Sequence, residues 1–178
     1  MKILVIGFNA LNNTSCLITK ELKRNNGYDL LLLNYGFRAM RKQIDQLDCR
    51  NYDYVFIFGD KTKSTKSITF ECLGINIQGT DQEILPGGVL AYKTNIGLKH
   101  LCQKLRKNNI SCRISNYAGT HFCNFGYYLM LEKTFNTQCK VLFTHLTRYS
   151  RSLDTEGMYK KIDFIIHEVV NSANGGLN

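Results

Sequence analysis

Four short, unbroken apolar runs limit what this chain can fold into. Residues 3–6 (Ile-Leu-Val-Ile) stop at Gly7, and residues 30–33 (four leucines) stop at Asn34. Residues 54–58 (Tyr-Val-Phe-Ile-Phe) stop at Gly59, and residues 141–143 (Val-Leu-Phe) lead into Thr144 and His145. A strand with one wet face alternates apolar and polar residues, so a run without alternation reads as a parallel strand covered on both sides. Between the runs lie stretches with helical spacing. Leu17, Ile18 and Leu22 follow Thr14 and Ser15; Ile96, Leu98, Leu101, Cys102 and Leu105 follow Thr94; Ile162, Phe164, Ile165, Ile166 and Val169 follow Ser152. Thr94 and Ser152 are the expected N-caps of the last two, with Glu156 near the first turn of the final helix. Alternating strand and helix predicts an α/β fold over residues 1–171: a single-domain three-layer α/β/α sandwich on a mostly parallel, partly mixed central sheet. Residues 172–178 are expected to fray as a tail.

Composition supports a folded chain and narrows the partners. With 44% apolar residues among 178 and a single proline, the chain has enough material for a core and is neither disordered nor low-complexity. The formal net charge of +9 would raise non-specific affinity for anionic surfaces. Its densest stretches, Arg38-Ala39-Met40-Arg41-Lys42 and residues 61–66, carry no nucleic-acid reader motif, so no specific nucleic-acid partner is expected. The seven cysteines are odd in number, too sparse for a disulfide framework, and lack metal-ligand spacing. Reduced thiols in the cytoplasm and no metal are the expectation. Gly7 and Asn9 interrupt the first apolar run, which therefore reads as a strand rather than a signal peptide, and no run approaches membrane-spanning length.

In an open α/β sheet, ligands bind outside the carboxyl ends of the strands. Gly7 and Phe8, Gly59 and Asp60, the turn around Gly119, and His145 all follow predicted strands and should crowd one edge. At the third of these, residues 114–126 run from a strand through small residues into a helix, with Cys123 in its first turn. Free N–H groups and the helix dipole there favour a thiolate and offer a place for an oxyanion. Taken alone, Cys123 is equally one more buried small apolar residue, as the other six cysteines are expected to be. A nucleophilic thiol needs a base and a group that orients the base. His145 ends a strand at the same edge, whereas His100 and His167 lie in surface-type helical patterns and His121 is two residues from Cys123. Glu71 is an isolated acid in an apolar stretch: either an imidazole's partner or a solvent-facing strand residue.

Four segments together resemble the pyroglutamyl peptidase I (pyrrolidone-carboxylate peptidase) family of cysteine peptidases. They are Met1-Lys2-Ile3-Leu4-Val5-Ile6-Gly7-Phe8, Ile68-Thr69-Phe70-Glu71-Cys72-Leu73-Gly74-Ile75-Asn76-Ile77, Ser115-Asn116-Tyr117-Ala118-Gly119-Thr120-His121-Phe122-Cys123-Asn124, and Val141-Leu142-Phe143-Thr144-His145-Leu146. The third, similar to the family's nucleophile motif, is the most specific. The resemblance implies a Cys123–His145–Glu71 triad that hydrolyses the amide after an N-terminal pyroglutamyl residue through an acyl-enzyme. It implies no cofactor, a peptide substrate with a blocked N-terminus, and a homo-oligomer. It also places Phe8, Leu11, Gly59, Asp60 and Phe122 at substrate-binding positions.

The departures from the family pattern fall where substrate is held. Leu11 stands where the family has a phenylalanine that walls the lactam pocket, which should cost about 1 kcal/mol or more of contact. Asn12 and Asn13 replace two glycines and are expected to keep a similar turn at positive φ. Asp60 stands where the family has an amide, Cys72 where it has an arginine, and the loop between Asn76 and Pro86 is shortened. Three other readings stand beside the peptidase: a triad acting on another small N-acyl or amide substrate, a non-catalytic relative that binds a peptide or protein, and a nucleic-acid binder acting through the +9 charge.

Overall fold

A computed structural model describes residues 1–61 and 67–174. The apolar runs form β1 (Ile3–Phe8), β2 (Asp29–Leu33), β3 (Tyr54–Asp60) and β8 (Lys140–Leu146). Three shorter strands lie between β3 and the next helix: β4 (Ile68–Glu71), β5 (Leu73–Ile75) and β6 (Ala91–Lys93); β7 (Cys112–Ser115) follows that helix. The helices are α1 (Thr14–Asn26), α2 (Phe37–Asp45), α3 (Leu98–Lys107), α4 (Phe122–Thr134) and α5 (Thr155–Asn174). Among the described residues the main sheet has the order β2-β1-β3-β8-β4-β7, with β5 and β6 forming a separate antiparallel pair. The pairs β1–β2, β1–β3 and β3–β8 are parallel. β4 runs antiparallel to β8, and β7 runs parallel to β4. The expected α/β class and mostly parallel, mixed sheet are therefore what the chain adopts.

Two apolar clusters explain the unbroken runs. On one face Ile3, Val5, Tyr54, Phe56, Phe58 and Leu142 pack under α1, α3 and α5. On the other Leu4, Ile6, Phe8, Val55, Ile57, Val141 and Phe143 pack under α2 and α4. Consecutive strand residues thus alternate between two dry layers, and neither parity can be polar. The basic stretch at residues 38–42 lies in α2, which turns Met40 and Ile44 into the core and leaves Arg38 and Lys42 exposed, while Arg41 folds over the Phe125 ring and donates to the Ile84 carbonyl.

Several local expectations need correction. Thr94 does not cap α3, because its hydroxyl donates to the Val141 carbonyl at 2.5 Å and the helix starts after Gly97. α5 begins after Asp154, whose carboxylate accepts from Gly157 N at 2.8 Å, so Ser152 lies outside it. Residues 172–174 belong to α5 rather than to a tail, and 175–178 lie outside the described residues. Asn12 takes the expected positive φ of 54°, but Asn13 is extended and accepts from Cys16 N as the N-cap of α1.

Candidate active site

Strand parity fixes which side chains meet. Phe8 of β1, Gly59 of β3, His145 of β8, Thr69 and Glu71 of β4, and Arg113 and Ser115 of β7 all fall on the α4 side of the sheet. Because β7 runs against β8, its end does not lie at the carboxyl edge of the parallel strands. Residues 116–121, turning through Gly119 at a φ of +88°, carry the chain back to start α4 over the end of β3. The position of Gly59 is set by that approach. A Cβ there would lie 2.9 Å from Cys123 Sγ and 2.8 Å from the Phe143 ring, so a side chain would displace the thiol.

Opposite the thiol, His145 Nδ1 donates to Glu71 Oε1 at 2.8 Å. A carboxylate only accepts, so the proton sits on Nδ1 and Nε2 is left to face the cleft. The carboxylate is 3% exposed, and Tyr127 locks its strand by donating to the Glu71 carbonyl at 2.8 Å. The His145 ring packs edge-on against Phe143 at 4.8 Å. Asn124, next to the thiol and fully buried, ties α4 to β5. Its amide donates to the Ile75 and Ile77 carbonyls and accepts from Ile75 N.

These groups line one cleft of about 610 Å³. Cys123, His145, Glu71, Phe8, Asp60 and Phe122 are all on it; Gly59 packs against the sulfur and the Phe143 ring but does not itself line the cleft. Leu11 is not: it is 95% exposed, outside the cleft, so the contact loss expected from a leucine wall does not arise. Sequence reasoning missed Tyr35, which reaches the cleft from the connection after β2. It packs 5.2 Å from Phe122 and 6.1 Å from Phe8, ring to ring. No local pattern marks it; only the β2–β1 adjacency brings it there. Arg113 was also missed, because the strand expected from residue 114 in fact begins at Cys112 and includes it.

Asp60 is structural as well as cleft-lining. Its carboxylate accepts from Thr14 N and Ser15 N, both at 2.8 Å, at the start of α1. Burial raises its pKa, against the pull of those bonds. The Cys123 thiol is pushed up to about 12 by burial and then by the Asp60 and Glu71 carboxylates. The expected resting thiolate is therefore not favoured, since burial and then two nearby negative charges oppose the helix dipole. What remains is a neutral thiol at a helix start whose N-cap residue, His121, supplies no side-chain bond. An imidazole paired with Glu71 lines the same cleft, and a thiol that meets such a base can give up its proton as it attacks. Among the described residues no group of His, Cys, Asp or Glu is arranged to hold a metal ion, and no helix is long and apolar enough to cross a membrane. All seven cysteines are free; Cys72 and Cys123 are half-buried and the other five buried.

Comparison with known proteins gives the family. The pyroglutamyl peptidase family profile matches residues 1–148. The chain is 31% identical to pyrrolidone-carboxylate peptidase 2 of Caldanaerobacter subterraneus subsp. tengcongensis, over 74% of this chain and 73% of that one. It is 31% identical to the pyrrolidone-carboxylate peptidase of Thermoanaerobacter pseudethanolicus, over 74% of each. The pyrrolidone carboxyl peptidase of Fervidobacterium islandicum superposes with a TM-score of 0.82 at 22% identity, covering 96% of this chain and 99% of that one. This chain belongs to the pyroglutamyl peptidase family.

Proposed function

We propose that this protein is a cysteine peptidase that removes an N-terminal pyroglutamyl residue from peptides. The observation that carries the reading is the 2.8 Å His145–Glu71 pair in the same cleft as a thiol at the start of α4. Family membership supports the substrate. Cys123 Sγ attacks the carbonyl carbon of the pyroglutamyl residue while His145 Nε2 takes the thiol proton. The oxyanion forms beside the first N–H groups of α4. Collapse breaks the C–N bond, and His145 gives its proton to the leaving nitrogen. Water then attacks the thioester, passing a proton to Nε2; the C–S bond breaks and the sulfur regains that proton. The products are pyroglutamate and a peptide with a free amino terminus.

Phe8, Tyr35 and Phe122 suit a flat five-membered ring, so Tyr35 supplies the aromatic surface that Leu11 does not. The chemistry uses side chains and water alone, and it needs a reduced thiol, which fits a cytoplasmic setting. The test is hydrolysis of a fluorogenic pyroglutamyl amide by reduced protein. Cys123→Ser is expected to lower kcat about a thousandfold or more while the circular dichroism spectrum is kept. Failure of the unaltered protein to release the fluorophore overturns the reading.

A further inference from the structure

Resting on that triad reading, we propose that the β4–β7 end of the cleft is a carboxylate subsite for the leaving peptide, with Arg113 as its specificity-determining residue. The direction follows from the chemistry. His145 hands its proton to the leaving nitrogen, so the leaving chain lies on the imidazole's side of the sulfur, away from the Phe8 and Tyr35 rings. On that side the sheet continues through β4 to β7. His145, Thr69 and Arg113 are register partners in a row across these three strands. Two strand spacings put the Arg113 backbone about 10 Å from that of His145. One residue beyond the scissile amide, a carboxylate falls within reach of the arginine side chain.

The side chain is set for that contact. Arg113 Nε donates to Thr69 Oγ1 at 2.9 Å, which steers the guanidinium along the cleft wall. Among the described residues no carboxylate forms a salt bridge with it, although two carboxylates line the same cleft. Glu71 pairs with His145 through Oε1 while its buried Oε2 has no hydrogen-bond partner among the described residues, and Asp60 is held by the α1 amides. Lys61 brings a second positive charge to the wall. Its backbone N–H bonds Leu146 O at 3.0 Å and its ammonium bonds Ser67 O at 2.5 Å. Burial, and then repulsion from Arg113, push the Lys61 ammonium down to about 8 against the pull of the Glu71 carboxylate. An anion would relieve that repulsion, and a guanidinium pairs well with a planar carboxylate.

The carboxylate has two sources, the free C-terminus of a dipeptide or an acidic side chain, and paired substrates separate them. Pyroglutamyl-Glu-amide is compared with pyroglutamyl-Gln-amide, and pyroglutamyl-Ala with its amide. In at least one pair the charged member is expected to be hydrolysed with about fivefold higher kcat/KM, mostly through KM. Arg113→Gln should bring that ratio to near one and Arg113→Lys should restore part of it. Because each variant's neutral substrate is its own reference, a general loss of activity does not mimic the result. Equal hydrolysis within both pairs by the unaltered protein overturns this subsite alone, as does a ratio that Arg113→Gln leaves intact. No hydrolysis of any of the four, nor of the fluorogenic amide, overturns the peptidase reading and the subsite with it.

Discussion

In the proposed cycle Cys123 starts as a thiol, and its surroundings say why. Burial and two carboxylates raise its pKa to about 12, above the ordinary thiol value, so at any pH below that less of it is ionised than of an exposed cysteine. Removing one of the charges shifts the balance the other way. Asp60→Asn deletes a negative charge close to the sulfur, which lowers the thiol pKa and raises the thiolate fraction at fixed pH. Alkylation of Cys123 by iodoacetamide at pH 8, followed by mass spectrometry of its peptide, should be about threefold faster in the variant. An unchanged rate would mean that Asp60 does not act on the sulfur electrostatically. Sequence spacing pointed to Cys123, His145 and Glu71 because residue type and strand-end placement are local properties. It did not show what opposes the thiolate, because burial and the Asp60 charge both act through the fold, the latter between residues 63 positions apart in the chain.

Whole elements are held to the site by single polar side chains. Asn124 satisfies three backbone groups of the β5 segment from inside α4, and it is fully buried. Asn124→Ala leaves those groups unpaired away from water, at a cost of about 3 kcal/mol or more. The urea midpoint should fall accordingly, with activity falling too as α4 and the thiol shift; an unchanged midpoint would refute the role. The four long strands and the helices α1, α3 and α5 were legible from periodicity, and α4 from the small-residue turn before it, whereas α2 was read only as a basic stretch. The small strands β5 and β6 were not legible, since three residues carry too little pattern. The N-caps of α3 and α5 were placed too early for a related reason. Thr94 has the right side chain for a cap, but the Val141 carbonyl claims its proton.

At the scale of the molecule, the sheet is stable only with both faces covered. The family profile ends at residue 148, yet α5 lies beyond it and buries Ile162, Ile165, Ile166, Val169 and Val170 against the β1–β3–β8 face. Five aliphatic side chains contribute about 10 kcal/mol of burial, as much as the whole net stability of a typical domain. A chain cut after Ser150 should therefore lose its near-ultraviolet circular dichroism signal and its cooperative thermal transition. A folded fragment would show α5 to be dispensable. What the sequence determined by itself is the α/β class, the core faces and the residue types of the site, because periodicity and strand-end position are written along the chain. Only the tertiary structure decided the rest: that the β4–β7 pair runs against β8, that Tyr35 rather than Leu11 walls the cleft, and that Arg113 lies in line with His145. Each of these depends on which strands become neighbours, and strand order is set by the packing of the whole sheet between its two helical layers.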